Sequence, residues 1–252
     1  MDLARAQSAN HESDIGVAHL AKGMCLWHLG APLAAEQVLS GLAPFVDTGL
    51  AVFSAFRRFS LAWLRADRGA HDEARQPAVE LRDFGYEHRV PLDEGRGRWA
   101  LAEVSRRAGD LESAEREITA ALQLLAEASP MDHPGALGTL SALRRSQGRA
   151  AEALAAAEVA LARVEDMGGA CGMFRGAFVR LAHAEALHAM GDRAAARAAI
   201  ATARAHLLAI GHKIADPSYR KTFLENVPEN TRTLALARAW LGEPAEAAAG
   251  RP

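Results

Sequence analysis

The tripeptide from Asp83 to Gly85, Asp-Phe-Gly, is the stretch that could most directly do chemistry, because it is the magnesium-binding signature of protein kinases. A kinase also needs a glycine-rich loop, a strand lysine and a catalytic loop before this tripeptide. This chain has no lysine between Lys22 and Lys213, and its nearby His-Arg pair follows the tripeptide instead of preceding it. We therefore interpret Phe84 as the end of a helix and Gly85 as its cap.

Other patterns that could carry chemistry are weaker. The stretch "MGGACGMFRGAF", Met167 to Phe178, lacks the GxxxxGK[ST] spacing of a phosphate loop, so we interpret it as a turn between helices. The alternative is an anion or ligand contact through Arg175 and backbone amides. His183 and His188 are five residues apart and do not share a helix face as HExxH requires. We expect a non-enzymatic protein with no catalytic residue, no metal and no cofactor.

Composition favours an all-α protein. The 252 residues are half hydrophobic, yet only 6% are aromatic, and alanine, the best helix former, is abundant. The 29 basic and 31 acidic residues argue against a nucleic-acid-binding surface. The N-terminus has no secretory pattern, no run of about 18 apolar residues occurs, and the two cysteines lack CxxC spacing. These features predict a cytoplasmic protein without a membrane segment, with reduced cysteines.

A repeat of about 40 residues organises the sequence. A glycine followed five residues later by alanine recurs at spacings of 39, 40, 39 and 43 residues. A small residue stands seven positions before each glycine. Five aligned copies predict a repeated helix–turn–helix unit. The glycines are Gly30, Gly69, Gly109, Gly148 and Gly191, and the preceding small residues are Gly23, Ala62, Ala102, Ser141 and Ala184.

Each position in this pattern has a physical role. The glycine is predicted to end the first helix in a left-handed conformation, which it adopts without a steric penalty. Asp110 and Asp192, which follow two of the glycines, are predicted N-caps of the second helix. The small residues before the glycine and the alanine after it are predicted to let the two helices of a pair approach closely.

Two copies, "AEVSRRAGDLESAEREITAAL" and "AEALHAMGDRAAARAAIATAR", resemble the tetratricopeptide repeat (TPR). The period of about 40 instead of 34, and the absence of the closing proline, are similar to a long-helix TPR variant found in large bacterial regulators. The resemblance implies an all-α, right-handed solenoid of five helix pairs over residues 14–214. The pattern predicts helices near 14–29, 32–45, 50–68, 72–84, 93–108, 111–127, 134–147, 150–166, 173–190 and 193–213.

The period stops after residue 214. Asp216 before Pro217, and later Pro228, predict two shorter helices over residues 215–242 that cap the open end of the solenoid. Residues 1–13 are predicted to be a tail, and residues 243–252 a disordered tail. The apolar face from Leu234 to Trp240 could support self-association if it were exposed.

The segment "RKTFLENVPENTRTLALARAWLG" is similar to the C-terminal end of multidomain bacterial signalling proteins, in which a serine/threonine kinase or a large ATPase module precedes a TPR arm. That similarity implies a non-catalytic interaction arm that binds a protein or peptide. The alternative function is a small-molecule sensor that gates an attached output domain, suggested by the glycine-rich turn and nearby histidines.

The first helices of TPR proteins line a groove in which partners dock. Carried over by register, this implies a partner-binding groove that is aromatic at its N-terminal end and basic in the middle. Arginine and aromatic residues dominate binding hot spots. For each Trp the alternative is packing between repeats, and for Arg106 and Arg145 a solvated helix face. The predicted groove residues are Met24, Trp27, Phe59, Trp63, Trp99, Glu103, Arg106, Arg107, Arg145, Glu185 and His188.

Overall fold

The computed structural model describes residues 3–42, 51–169 and 177–242, and these ranges contain twelve α-helices and no strand. The predicted all-α class is therefore confirmed. The chain divides into two compact units, Met1–Ser129 and Pro130–Pro252. We call them unit 1 and unit 2.

Unit 1 contains a row of three helices that pack side by side, each followed along the chain by a helix that packs against it. The row is formed by α1 (Leu3–His28), α3 (Ala51–Asp67) and α5 (Pro91–Arg107). The helices that follow them are α2 (Pro32–Ser40), α4 (His71–Glu87) and α6 (Leu111–Ala128).

Unit 2 also contains a three-helix row, formed by α7 (His133–Ser146), α9 (Ala177–Ala189) and α12 (Pro228–Leu241). The remaining helices are α8 (Ala150–Asp166), α10 (Arg193–His212) and the short α11 (Pro217–Glu225). The last helix, α12, packs on both α9 and α10, where Leu236 and Ala237 close an apolar cluster with Leu181, Ala184 and Ile200. Burial of this apolar surface holds α12 in place.

The predicted turn glycines adopt the predicted conformation. In the turn after α5, the Gly109 N–H donates to the Arg106 carbonyl and the Asp110 N–H donates to the Ser105 carbonyl, which is a Schellman motif. This hydrogen-bonding pattern satisfies carbonyls that the end of the helix leaves without partners. All five glycines have φ between +74° and +86°: Gly30, Gly69, Gly109, Gly148 and Gly191.

The predicted caps are also present. The Asp110 carboxylate accepts from the Ser113 N–H at 3.0 Å, and the Asp192 carboxylate accepts from the Ala195 N–H at 2.9 Å. Asp216 caps α11 in the same way, with Pro217 in the first turn. Each cap satisfies an N–H that the helix itself cannot.

The small residues of the pattern lie where paired helices touch. The alanines five residues after the turn glycines are fully buried: Ala35, Ala74, Ala114, Ala153 and Ala196. In unit 2 the Ser141 hydroxyl, seven residues before its glycine, donates to the Ala153 carbonyl across the helix pair at 2.7 Å. A larger side chain at either position would separate the two helices.

Gly85 does not cap a helix, so that prediction was wrong. Helix α4 continues through Gly85 to Glu87, and the left-handed conformation falls on Arg89, with φ of 55°. A Cβ atom on Gly85 would lie 2.1 Å from the Glu94 nitrogen, and one on Gly97 would lie 2.3 Å from the Arg82 nitrogen. The two glycines therefore let the backbones of α4 and α5 touch, which requires the absence of a side chain.

Other boundaries also differ from the prediction. Helix α1 begins at Leu3, whereas the pattern predicted a start near residue 14. Gly168 and Gly169 both have positive φ and form the predicted turn after α8. The rest of that turn, including Arg175, and the predicted disordered tail 243–252 lie outside the described residues.

Candidate interaction surface

A single carboxylate links the three-helix row of unit 1. Asp67, at the C-terminal end of α3, accepts a hydrogen bond from Trp27 Nε1 of α1 at 3.3 Å. Its other oxygen accepts from Arg107 Nη1 of α5 at 2.8 Å. One buried side chain thus fixes the positions of both neighbouring helices, because a buried polar group must keep its partners.

Glu103 extends this network inside unit 1. Its carboxylate accepts from Arg106 Nε at 2.9 Å, Arg106 Nη2 at 2.7 Å and Arg107 Nε at 2.6 Å. Burial alone would raise the pKa of Glu103, but Arg106 and Arg107 outweigh it and lower the pKa from 4.5 to about 2. Burial alone would lower the pKa of Arg107, but the carboxylates of Glu103 and Asp67 outweigh it, so the pKa is raised. Two carboxylates and two guanidiniums therefore balance in charge.

An aromatic cluster lies beside this network. The rings of Phe59, Trp63 and Trp99 have centroids 5.2 to 6.0 Å apart in tilted and edge-on arrangements. The Arg107 guanidinium lies 5.9 Å from the Trp63 ring centroid. All three aromatic side chains are buried, and so is Trp27, so they contribute packing energy to unit 1. The assignment of these residues to a partner-binding groove stays a prediction.

A second carboxylate links the row of unit 2. Glu185 of α9 accepts from Arg145 Nη2 of α7 at 2.8 Å and from Arg232 Nε of α12 at 3.0 Å. The Glu185 side chain is 11% exposed, whereas Arg145 and Arg232 are 35% and 56% exposed. The two guanidiniums reach a largely enclosed carboxylate from the open side of the row.

An aromatic pair borders this second bridge. The imidazole of His188, one turn after Glu185, stacks on the indole of Trp240 at 4.4 Å with 5° between the planes. Arg193 Nη1 donates to His188 Nε2 at 2.6 Å, and Arg197 donates to the Trp240 carbonyl. These contacts tie the C-terminal end of α12 to α9 and α10.

His133, at the start of α7, is a buried titratable group of unit 2. Its Nδ1 lies 3.0 Å from Arg163 Nη1 of α8, which donates to it when the imidazole is neutral. Burial, and then the nearby Arg163 charge, lower the pKa of His133 from 6.5 to about 4. The imidazole is therefore neutral at physiological pH.

The structure brings the predicted groove residues together in two groups. The group in unit 1 contains Trp27, Phe59, Trp63, Trp99, Glu103, Arg106 and Arg107. The group in unit 2 contains Arg145, Glu185 and His188. Met24 is half-buried on α1. Sequence reasoning did not place Arg232 or Trp240 beside Glu185 and His188.

The repeat period contains a signal for some of these pairs. Three contacting pairs are each 40 residues apart in the sequence: Trp27 with Asp67, Asp67 with Arg107, and Arg145 with Glu185. Complementary side chains one period apart on first helices therefore indicate contact. Arg232 lies 47 residues from Glu185, outside the register, because α11 and its turns intervene.

Two further properties bear on function. Within the described ranges, no group of three or more His, Cys, Asp or Glu side chains is placed to hold a metal ion. No helix in the same ranges is long and apolar enough to cross a bilayer. Comparison with protein-family models and with curated protein sequences found no match.

Proposed function

We propose that this chain is a non-catalytic, TPR-like helical scaffold of the cytoplasm that binds a protein or peptide. The five glycine turns, with their buried small residues at helix contacts, support the TPR-like interpretation. The surface of unit 2 around Glu185 supports the binding role.

The partner that this surface fits best is a segment bearing a carboxylate. Arg145 and Arg232 share the one carboxylate of Glu185, so this trio carries a net charge of one positive unit. Arg145 uses Nη2 and Arg232 uses Nε for that contact, and a guanidinium has five N–H donors. Their remaining donors can bind a second carboxylate, which would neutralise the trio.

The neighbouring aromatic pair adds a different contact. His188 and Trp240 stack within one helical turn of Glu185 and are both half-buried. An aliphatic or aromatic side chain next to the partner's carboxylate could pack on them, because half-buried aromatic rings contribute much of the energy in interfaces. An acidic peptide with an apolar residue therefore fits better than a purely acidic one.

Fluorescence anisotropy with a labelled peptide tests this function. We expect a peptide of alternating Glu and Leu to bind, its Gln-Leu counterpart to bind on the order of tenfold more weakly, and added salt to weaken the first. Exchange of both Arg145 and Arg232 for alanine should abolish the difference between the peptides.

The matched control is Arg116→Ala, which removes a 63% exposed arginine of unit 1 that pairs with Glu112. It should leave both affinities unchanged. Equal binding of the two peptides by the parent protein, or an unaltered preference in the double variant with intact helicity, would contradict the proposed surface.

We further propose, from the sequence similarity alone, that the scaffold serves as the C-terminal interaction arm of a bacterial signalling kinase or regulatory ATPase. An immunoblot of the native polypeptide tests this, since an arm belongs to a band far above 26.8 kDa. A band at that mass would favour a stand-alone adaptor.

Two other functions stay predictions. The small-molecule sensor rests on the glycine-rich turn. Self-association rests on α12, whose Leu236 and Ala237 are buried within unit 2.

A further inference from the structure

Helix α3 carries three arginines, and two of them have a carboxylate partner. Arg58 Nε donates to Glu80 of α4 at 3.2 Å, and Arg65 Nε donates to Glu36 of α2 at 2.8 Å. Arg57 has no hydrogen bond or ion pair with any other described residue, and its Nε is buried without an acceptor. Among the described residues, one guanidinium of this helix therefore lacks the close ion pair that the other two have.

A second polar group without a partner lies one turn further along α3. Ser60 is fully buried, and its hydroxyl has no hydrogen-bond partner among the described residues. Residues three apart on a helix are neighbours on its surface, with Cβ atoms about 5–6 Å apart. Arg57 and Ser60 thus share one face of α3, and each carries a buried donor atom without a partner among the described residues.

The charge of Arg57 makes this arrangement costly without a ligand. Burial lowers the pKa of Arg57, and the Arg58 charge lowers it further, while Glu80 opposes the shift. An arginine nevertheless stays protonated in proteins. A partly buried positive charge without a close ion pair, next to a buried hydroxyl without a hydrogen-bond partner among the described residues, destabilises the folded state.

We propose that Arg57 and Ser60 form a binding site for an oxyanion, either a carboxylate or a phosphate. The planar fork of a guanidinium matches the oxygen spacing of both groups, and the serine hydroxyl supplies one more donor. The site is independent of the proposed surface around Glu185, because it uses other residues in unit 1.

Thermal unfolding of the full chain tests the site, with chloride replaced stepwise by phosphate or by acetate at constant ionic strength. We expect the unfolding temperature of the parent to rise and saturate with at least one of the two anions, because a ligand that binds only the folded state stabilises it. The anion with the larger response identifies the ligand class. Ser60→Ala should weaken the apparent affinity several-fold, roughly the effect of one hydrogen bond.

The decisive variant is Arg57→Met, which keeps an unbranched apolar stem and removes the charge. In chloride it should unfold at the same temperature as the parent or higher, and the saturable part of its response to the anion should disappear. The matched control, Arg116→Met, should respond like the parent, since general salt effects act on both. Arg57→Lys keeps the charge without the fork and should respond weakly.

Three results would overturn the proposal. An equal anion response in the parent and in Arg57→Met would show that the effect is not at this site. A marked loss of stability of Arg57→Met in chloride would show that the guanidinium already has an internal partner. Absence of any response in the parent to both anions would show that no such ligand binds.

Discussion

The two units use the same device in different surroundings. In each, a carboxylate on the middle helix of a three-helix row receives donors from both neighbouring helices, Asp67 in unit 1 and Glu185 in unit 2. The arginine that reaches Asp67 is 20% exposed, whereas those that reach Glu185 are 35% and 56% exposed. Breaking an enclosed bridge is costly because it leaves a buried charge without its partner, whereas an open bridge leaves donors for a ligand.

The apolar packing also differs between the units, because unit 1 buries more aromatic side chains. Unit 1 contains three of the four tryptophans, and Trp63 and Trp99 pack with Phe59 in its interior. The cluster that holds α12 in unit 2 consists of alanine, leucine and isoleucine, with Trp240 at its edge. Because large aromatic side chains bury the most apolar area, we expect unit 1 to be the more stable unit.

The largest effect should come from removing the enclosed carboxylate. Glu103→Ala leaves Arg106 and Arg107 with fewer acceptors in a buried site, and should lower the free energy of unfolding by about 3–5 kcal/mol. Glu185→Ala, which removes the open bridge of unit 2, should cost about 1 kcal/mol or less, because its arginines can turn to water. Urea unfolding followed by far-ultraviolet circular dichroism measures both.

The control for this pair is Glu112→Ala, which removes an 89% exposed partner of Arg116 and should have almost no effect. Similar losses for Glu103→Ala and Glu185→Ala would show that the enclosed network around Glu103 and the open bridge at Glu185 are not energetically different.

The next effect separates the units by pH. The lowered pKa of His133 predicts that unit 2 is fully stabilised above pH 6.5 and loses stability as the pH falls to about 4, because the unfolded state then binds an extra proton. The lowered pKa of Glu103 predicts that unit 1 loses about 3 kcal/mol over a lower window, from 4.5 to about 2.

Unfolding at a series of pH values, followed by tryptophan fluorescence and by circular dichroism, separates these windows. Tryptophan fluorescence reports mainly on unit 1, where three of the four tryptophans lie. His133→Gln should shrink the upper window, to which burial of His183 also contributes, and Glu103→Gln should shrink the lower one. A single transition window, unchanged in both variants, would refute the separation.

The smallest effect of the three concerns backbone contacts. A methyl group on Gly97 would meet the backbone of Arg82 at 2.3 Å, so Gly97→Ala must push α4 and α5 apart and should cost about 1–3 kcal/mol. A methyl group on Gly138 in unit 2 would meet the ring edge of Phe178 at 2.6 Å, and a side chain can move more easily than a helix backbone.

We therefore expect Gly138→Ala to cost less than Gly97→Ala, about 1 kcal/mol. Differential scanning calorimetry of the two variants measures the order. If Gly138→Ala proved the more disruptive, the comparison of a rigid contact in unit 1 with an adaptable one in unit 2 would be wrong.

The sequence predicts those parts of the fold that depend on local interactions. The left-handed glycines and the caps at Asp110, Asp192 and Asp216 follow from the chemistry of a few adjacent residues, and they are present. Gly85 was misassigned because a glycine that serves a contact between helices has the same local sequence signature as one that ends a helix. Its role depends on Glu94, in the next helix.

The candidate site was predictable only in part, for a related reason. Arg145, Glu185 and His188 follow from the repeat register, which places equivalent positions of successive first helices side by side. Arg232 and Trp240 lie on a helix outside the period, so no register predicts their neighbours. The absence of a partner for Arg57 likewise depends on which acids α2 and α4 present to α3.

The stack of His188 on Trp240 provides an intrinsic fluorescence probe for the position of α12. An imidazole stacked on an indole changes the surroundings of the indole and therefore its emission. Trp240 is the only tryptophan of unit 2, and its ring lies 4.4 Å from that of His188. The emission of this one residue should therefore change with release of α12 from α9, because release separates the two rings.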